Sequence, residues 1–433
     1  MRRSKRHTQA GGSVAPRAGQ RGVALVTVLI AIAITLVISN DFGTSTNTDM
    51  IAAANYRDQM RAHFLARSAQ NLADLILRVQ YRIDNTEKLR GMFDITEYAN
   101  MFMTPFCGGN DEVQDMFGIP VDQLKGMGAE VGQCGLDEFT TEDDKINMNC
   151  ANVPQSAPVT KSILDALVYF QAYDPVFDEN DAEGWRRDRA TQVDALMDYI
   201  DSNAMRGSNR GTAEDYGYEN LKDRYFPKNN YIDTIGELKL VRGVDDRFWT
   251  LFGNAFTVYG GCKINIPHVT NPQLIAAVIY LSAKNPNDPV LQDPRRLFML
   301  AGIVAKARQN GENFTKAQEF ADFVKDPVAA LQALAVTGGM AGSAATNALT
   351  QGFNIPPGEK VGMELDVAKL NTIVTFGTRR TYRVTAWGEV ERKSGVFPPI
   401  RSSITGIWDT KVFPQNVRKQ TGQKGAWVFL RED

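Results

Sequence analysis

A continuous apolar segment near the N-terminus constrains this chain more than any other feature. Residues 23–38, which read VALVTVLIAIAITLVI, are apolar except for Thr27 and Thr35, and the first ionisable residue after them is Asp41. The 22 residues before this segment contain six Arg or Lys residues and no Asp or Glu. A basic flank of this kind stays in the cytoplasm. The sequence therefore predicts one membrane span, with most of the chain on the far side of the membrane.

The apolar segment is short for a membrane span, since at ~1.5 Å per residue it covers roughly 24 Å. Three interpretations fit this length: a cleaved secretory signal, an uncleaved signal anchor, and a processed leader. Residues 39–43 read SNDFG, which suits a signal peptidase poorly. In contrast, Gln20-Arg21-Gly22 directly before an apolar residue resembles the prepilin peptidase site of type IV pilins and pseudopilins. That resemblance implies cleavage after Gly22 and an N-methylated Val23 as the new N-terminus.

The residue at the fifth position after the implied cleavage site indicates which class of pilin or pseudopilin this chain resembles. Most pilins have a glutamate there, which pairs with the N-terminus of a neighbouring subunit, whereas this chain has Thr27. An uncompensated carboxylate is costly in hydrocarbon, so its loss suits a subunit that has no neighbour above it. The start RGVALVTVL resembles that of the K-type minor pseudopilins, which share this departure. The resemblance implies a position at the tip of a fibre and argues against a major pilin.

The region after the span predicts a helix followed by repeated strand and helix units. Apolar residues recur at a spacing close to 3.6 over residues 51–83, without Pro or Gly, which predicts an amphipathic stem continuous with the span. Two segments that begin KIN, at 145–147 and 263–265, are each followed by an apolar helical pattern, SILDALVYF and QLIAAVIYL. Residues 381–390 and 402–408 predict antiparallel strands near the C-terminus. Residues 425–433 resemble the terminal strand of the K-type minor pseudopilins.

Three central segments carry the most specific resemblance. They are VDALMDYIDSN at 193–203, GTAEDY at 211–216 and YIDTIGELKLVRGV at 231–244. They resemble the general secretion pathway K family of type II secretion, although Tyr199 replaces the usual Trp and Asn203 the usual Asp. The resemblance implies an α+β, type IV pilin-like fold, in which a long N-terminal helix packs on an antiparallel sheet, with a large, mainly α-helical insertion.

The implied organisation has five parts. They are a leader at 1–22, a transmembrane and stem helix at 23–84, the first part of the pilin-like α/β domain at 85–160, a helical insertion at 161–330, and C-terminal strands that complete the α/β domain at 331–433. The insertion resembles helix-hairpin-helix or SAM-like units, in which two helices are joined by a short turn. Gly243 follows ELKLVR at a position suited to a helix C-cap, where such a turn would begin. Some such units bind DNA, but the mature chain is net acidic, so we expect no nucleic acid partner.

A group of acidic and amide residues lies in these family-like segments. Its members are Asp198, Asp201, Asn203, Glu214 and Asp215. Calcium takes six to eight oxygen ligands, often from a helix end and the loop after it, and the K family is associated with calcium. The resemblance therefore implies a calcium site built from these residues. The alternative is that Asp198 and Asp201 are solvated charges at the end of a helix.

All four cysteines follow the span, where the compartment is oxidising. Cys107, Cys134, Cys150 and Cys262 permit two disulfides in any of three pairings. Cys150 follows the first KIN strand and Cys262 precedes the second, which favours Cys150 with Cys262 and Cys107 with Cys134. Free buried thiols are the alternative.

Enzymatic function is not expected from this sequence. Only three histidines occur, and only His268 falls in the globular part; no G-x-S-x-G, H-E-x-x-H or Walker pattern is present. The resemblance implies instead a bacterial inner-membrane protein with a periplasmic globular part. Its implied partners are the I- and J-type minor pseudopilins, the major pseudopilin fibre, the assembly platform, prepilin peptidase, and, at the tip, secreted substrates and the secretin. The alternatives are a minor pilin of a type IV pilus and a signal-anchored extracytoplasmic enzyme or binding protein.

Overall fold

The structure is a computed structural model that describes residues 18–86, 94–107, 132–177, 180, 188–203, 205, 217–218, 221–309, 312–331, 361–391, 398–412 and 425–432. Its helices are α1 (Ala18–Asn85), α2 (Ala99–Cys107), α3 (Ala157–Val168), α4 (Asp174–Phe177), α5 (Arg189–Asp198), α6 (Asp246–Phe252), α7 (Pro272–Ser282), α8 (Pro289–Gln292), α9 (Pro294–Gln309), α10 (Ala317–Lys325) and α11 (Val367–Ile373). Its strands are β1 (Gln133–Thr141), β2 (Ile146–Asn147), β3 (Phe256–Thr257), β4 (Ile264–Asn265), β5 (Val374–Thr375), β6 (Thr381–Val390), β7 (Ile400–Asp409) and β8 (Ala426–Glu432).

The membrane span and the stem form one helix, α1, which confirms the prediction of a continuous element. It contains 68 residues and no proline, so at ~1.5 Å per residue it is roughly 100 Å long. Its N-terminal part is long and apolar enough to cross a membrane, with a mean hydropathy of 2.7 over the most apolar window, and none of that window is buried in the protein. Its C-terminal part packs on the sheet.

The sheet has the strand order β1-β6-β7-β8, and all three pairs are antiparallel. The three C-terminal strands predicted from the sequence are therefore confirmed. The first strand comes from a distant part of the chain, since Leu136 of β1 pairs with Ala386 of β6. A long helix packed on an antiparallel sheet, with an added helical region, is the predicted fold class, and it is confirmed.

The stem lies very close to the sheet because the residues of both surfaces have small side chains where they meet. Ala62, Ala66, Ala69 and Ala73 are fully buried along one side of α1. On the sheet, a Cβ atom added to Gly388 would lie 2.2 Å from the carbonyl oxygen of Ala62, so only a glycine fits beneath the helix backbone there. These alanines recur every three or four residues, which places them on one face of the helix.

Polar groups fix the same contact. The buried Trp408 of β7 donates its indole N–H to Asp74 Oδ1 over 2.9 Å, and Asp74 also pairs with Arg78 over 2.7 Å. The side chain of Gln80 accepts a hydrogen bond from the backbone N–H of Ile95 over 2.9 Å. A buried indole N–H needs such a partner, so these bonds set the position of the helix along the sheet as well as its distance.

A second hydrophobic core contains the helical part of the chain. It draws on buried residues from Ile146 to Val374, whereas the first core contains residues of α1, α2, β1, β6 and β7. The second core thus begins before residue 161 and continues past residue 330, the bounds predicted for the insertion. It does so because β2 and β5, which lie outside those bounds, each pair in parallel with a strand of the insertion.

The two KIN segments adopt equivalent structures, as predicted from their similarity. Each forms a two-residue strand, β2 or β4, then a 3₁₀ turn, and then a helix, α3 or α7. Asn147 donates its side-chain amide to the carbonyl of Gly260, and Asn265 donates in the same way to Gly377. The two asparagines thus tie each strand to the chain that follows its parallel partner. The match extends to individual hydrogen bonds, which supports the interpretation as related units.

The chain crosses between the two cores twice, and the crossings are joined by charged groups. Glu142 pairs with Arg383 over 2.5 Å and with Lys145 over 3.1 Å. Burial opposes ionisation of Glu142, but Lys145 and Arg383 outweigh it and lower the pKa of this carboxyl. Asp143 accepts hydrogen bonds from the backbone N–H groups of Arg380 and Thr381. The entering and leaving segments of the helical part are therefore held together.

Candidate functional site

The predicted processing site lies near the start of α1. Val23 is 65% exposed, and Gly22 has no neighbouring atom within 4 Å of the position that a Cβ would occupy. The hydroxyl of Thr27 donates to the carbonyls of Val23 at 3.1 Å and Ala24 at 2.9 Å. Hydroxyls within membrane helices often bond back to the preceding turn in this way. The group that replaces the pilin glutamate is therefore satisfied by its own helix.

The side of the stem that faces away from the sheet is apolar and basic. Phe64 and Leu75, which lie opposite the buried alanines on the helix, are 59% and 57% exposed. Met60 and Val79 extend the same exposed surface. Arg57, Arg61 and Arg67 have side chains that are 60%, 46% and 56% exposed, while the side chain of Asp58, which pairs with the first two, is 14% exposed. We call Met60, Phe64, Arg67, Leu75 and Val79 the outer stem face.

Three of the five predicted calcium ligands come together after α5. Asp198 is the last residue of that helix and is 1% exposed. Asp201 accepts from the backbone N–H of Asn203 at 3.2 Å and from its side-chain amide at 2.7 Å. Burial raises the pKa of Asp201 to about 6; the bonds from Asn203 oppose this rise, and the charge of Asp198 adds to it. We call these three residues the acidic corner.

The acidic corner has the chemistry of part of a cation site. Two carboxylates lie near each other, and the charge of Asp198 disfavours ionisation of Asp201. The other two predicted ligands, Glu214 and Asp215, lie outside the described residues. Among the residues that the structure describes, no cluster of three or more His, Cys, Asp or Glu side chains is arranged to hold a metal. The described residues thus supply a partial set of oxygen ligands.

A cavity of about 600 Å³ lies between the two cores, and the sequence did not indicate it. Its lining includes Gln80 of the stem, His268, Arg379 and Tyr382. Arg379 donates to Nδ1 of His268 at 3.0 Å and pairs with Asp94 at 3.1 Å. Burial, followed by the charge of Arg379, holds the pKa of His268 well below its ordinary value. The one histidine of the globular part is therefore a neutral acceptor that joins the two cores.

The family model of type II secretion system protein K matches residues 178–259. The match covers α5, the acidic corner and the turn before α6. This segment of the chain is therefore similar to the type II secretion system protein K family. The matching family is a component of a secretion system, which agrees with the prediction that the chain is not an enzyme.

Two individual proteins are similar to this chain. Over 233 residues, or 53% of the chain, the protein is 24% identical to the type II secretion system protein K of Aeromonas hydrophila, and the match spans 61% of that relative. Among solved structures, a chain of the GspK-GspI-GspJ complex from the type 2 secretion system of enterotoxigenic Escherichia coli is similar, with a TM-score of 0.48 and 12% identity. That likeness covers 88% of this chain and 99% of the other.

Both disulfides link parts of the chain that are distant in the sequence. Cys107 at the end of α2 is joined to Cys134 of β1, and Cys150 after β2 is joined to Cys262 before β4. The second bond connects the two KIN units directly. The loops closed by the bonds have sequence separations of 27 and 112 residues. In a chain-entropy treatment such loops contribute roughly 3.5 and 4.8 kcal/mol.

The segment with the strongest family resemblance forms a helical turn rather than a full helix. Residues Ile235–Leu240 are a 3₁₀ helix, and Glu237 closes a capping box by accepting from the backbone N–H of Thr234 at 2.9 Å. Gly243 follows with φ of 83°, which favours glycine. The first predicted helix is therefore a single 3₁₀ turn that ends at Leu240, before Gly243, and α6 follows it.

Proposed function

We propose that this protein is a minor pseudopilin at the tip of the type II secretion pseudopilus, where it initiates assembly with the I- and J-type minor pseudopilins. The fibre beneath it would be the major pseudopilin, extended by the inner-membrane assembly platform. The protein would thereby support export across the outer membrane, close to secreted substrates and the secretin. The match to the protein K family model supports the pathway, and Thr27 supports the position.

The position at the tip is inferred mainly from Thr27. A glutamate at this place in a fibre needs a cation from the neighbouring subunit, because an unpaired charge costs about 3 kcal/mol at the centre of a bilayer. The Thr27 hydroxyl needs none, since it bonds to Val23 and Ala24 of its own helix. A subunit built in this way can enter the fibre without a neighbour above it. The bulk of the second core, which would obstruct subunits stacked above, favours the same position.

The outer stem face supports the proposed partners. Phe64 and Leu75 expose apolar surface on the part of α1 that packs on the sheet, and exposed stripes of this kind are typical of helix-helix interfaces. The I and J types are proposed to bring their own stems against it. The solved complex similar to this chain is one of GspK with GspI and GspJ.

Processing after Gly22 is the first test of this proposal. We expect intact-mass and N-terminal analysis of the membrane-extracted protein to show a start at N-methylated Val23 when prepilin peptidase is present. Without the peptidase, the 22-residue leader should remain. A leader that persists in cells with active peptidase would favour a signal-anchored protein, and a cut beyond Asp41 would favour a secreted one.

Substitutions at residue 27 test whether the protein lies at the tip or within the fibre. Thr27→Glu should reduce secretion and complex formation with the I and J types, because its carboxylate has no amine above it. Thr27→Val is the matched control and should behave as the wild type. Normal secretion by Thr27→Glu, together with a defect in Thr27→Val, would argue against the tip position and would favour a place within a fibre, as in a minor pilin of a type IV pilus.

We also propose that the acidic corner binds calcium, with Asp198, Asp201 and Asn203 as ligands and Glu214 and Asp215 completing the set. Burial, followed by the charge of Asp198, raises the pKa of Asp201; calcium would offset both effects, and it would serve structure rather than catalysis. Binding at 100 times the dissociation constant stabilises a protein by about 2.7 kcal/mol.

Calorimetry of the purified chain tests the calcium proposal. We expect Ca²⁺ to raise the unfolding temperature relative to EDTA, and Asp201→Asn to lose most of that rise. Glu391→Gln, far away at the end of β6, is the control and should keep it. An equal rise in all three proteins would place calcium elsewhere, and no rise in the wild type would leave these residues as solvated or self-paired charges.

A further inference from the structure

Arg308, in the last turn of α9, has a partly buried guanidinium. Its Nε–H is buried and has no hydrogen-bond partner among the described residues. Burial, followed by the charge of Arg379, lowers the pKa of Arg308 to about 10. Three carboxylates at longer range oppose this shift without cancelling it: Glu97, Glu312 and Asp94. Buried charges in proteins are normally paired, so this guanidinium indicates a site for an anion.

Arg308 lies beside the cavity between the two cores. Burial and the charge of Arg379 lower the pKa of His268, which lines that cavity, and the charge of Arg308 adds to the effect. The segment that follows α9 lines the cavity too, at Asn313, Phe314 and Thr315. The C-terminal end of a helix favours a cation, but a buried N–H also needs an acceptor.

Two further donors line the cavity. Nδ1 of His268 accepts from Arg379, so the neutral ring carries its proton on Nε2, which bonds to no described residue. Tyr382 is 2% exposed, and its hydroxyl has no partner in the part of the chain that the structure describes. An acceptor in the cavity could therefore bond to both side chains.

The acidic residues of the lining are already bound to other side chains. Asp94 pairs with Arg379 at 3.1 Å. Asp84 accepts from the side-chain amide of Gln80 at 2.9 Å. The charge of Arg379 is thus compensated within the protein, whereas that of Arg308 has no such close partner among the described residues.

The remainder of the lining is largely apolar. Phe314 and Phe376 both pack on Phe320, with ring centroids 5.2 and 6.3 Å from it, and Pro267 lies next to His268 in the chain. A cavity of about 600 Å³ that combines apolar walls with a few polar groups is typical of small-molecule sites.

We propose that this cavity binds a small organic carboxylate with an apolar body. Arg308, His268 and Tyr382 donate hydrogen bonds to the carboxylate. Phe314 and Phe376 contact the apolar part. A guanidinium suits a carboxylate because it can donate two parallel N–H···O bonds. Since Tyr382 belongs to the sheet and His268 to the helical part, the bound ligand also joins the two cores.

Calorimetric titration of the full-length protein in detergent tests this site. The probe is N-acetyl-L-phenylalanine, a carboxylate with one aromatic ring, and the control is its uncharged amide. We expect saturable binding of the acid and binding of the amide that is weaker by about 10-fold or more, because charge-assisted hydrogen bonds are lost. Equal binding of the acid and the amide, or no binding of either, would overturn the proposal.

A free acid and the C-terminus of a polypeptide both supply a carboxylate, and a longer probe distinguishes them. An acetylated tripeptide that ends in phenylalanine should bind no more tightly than N-acetyl-L-phenylalanine. Binding of the tripeptide that is tighter by about 10-fold, or 1.4 kcal/mol, would overturn the small ligand and would assign the site to a chain terminus.

Substitutions test whether these residues hold the probe. Arg308→Gln should weaken binding of the acid by about 10-fold or more, and Tyr382→Phe, which removes only a hydroxyl, by several-fold. Lys306→Gln is the matched control, because Lys306 is exposed on the same helix and bonds to Gln309; it should bind as the wild type does. Arg308→Gln should unfold at or above the wild-type temperature, since it removes an unpaired charge. Wild-type affinity in both Arg308→Gln and Tyr382→Phe would overturn the assignment.

Discussion

Gly388 is the position at which a single methyl group tests how the stem meets the sheet. In Gly388→Ala the new Cβ would lie 2.2 Å from the carbonyl oxygen of Ala62, 2.4 Å from the backbone nitrogen of Ala66 and 2.6 Å from Cβ of Leu65. Two of these atoms belong to the helix backbone, so a rotamer change cannot relieve the clash. The helix must move away from β6 by about 1 Å to restore ordinary contact.

The cost follows from what this shift does to the alanine contact. A gap of 0.5–1 Å forfeits about a quarter to a half of each dispersion contact, and Ala62, Ala66, Ala69 and Ala73 all depend on the same close approach. Inserting a methyl into a packed core costs about 1–3 kcal/mol and occasionally more. Because the obstructing atoms are backbone, we expect a value near the upper end, about 3 kcal/mol.

The assay is calorimetric unfolding of the full-length protein in detergent. A loss of about 3 kcal/mol should lower the unfolding temperature of the first core by roughly 6–12 °C. Gly261→Ala is the control, because a Cβ there would meet nothing within 4 Å and its backbone is not in the left-handed region. If Gly388→Ala unfolded at the wild-type temperature, the stem could not lie as close to β6 as the structure places it.

Two further predictions concern the cysteines and a buried acid. Peptide mapping without reduction should yield the pairs Cys107–Cys134 and Cys150–Cys262, and any free thiol or other pair would contradict the structure. Burial raises the pKa of the Asp144 carboxyl to about 7, with Lys145 opposing and Glu142 adding to the rise. The folded state therefore binds more protons than the unfolded state between about pH 4 and 7, so this group lowers stability as pH rises through that range. Asp144→Asn should be more stable than the wild type in chemical denaturation, by more at pH 8 than at pH 5; an equal difference at both values would refute the assignment.

Asp144 lies among the charged residues that join the two cores. Asp144 follows Glu142 and Asp143, whose bonds to Arg383, Arg380 and Thr381 join the two crossing segments. Arg379 and His268 add a further link beside the stem. Because the helical part is tied at both crossings, we expect it to move with the pilin sheet when a fibre advances.

Local sequence patterns were sufficient for several elements. The apolar span, the amphipathic stem and the two KIN units were predicted because hydrophobic periodicity and strand propensity depend on near neighbours. The C-terminal strands were found for the same reason, since β6 alternates buried and partly buried residues along its length. The segments around Asp198 and Gly243 indicated the resemblance to the K family, because they match its residue types as well as its periodicity.

The remaining contacts join residues that are far apart in the sequence, and the sequence did not predict them. Nothing in QCGLDEFTT marks it as the strand that pairs with β6 about 250 residues later, because its partners become neighbours only when the intervening core has folded. The same holds for Asn100 beside Leu136 and for Arg379 beside His268. The alanine stripe could be read from the sequence, but not that Gly388 lies under it. The sequence by itself determined the span, the stem and the repeated units, whereas the tertiary structure decided which strands pair and that α2 lies beside β1, since such contacts depend on the packing of the whole chain.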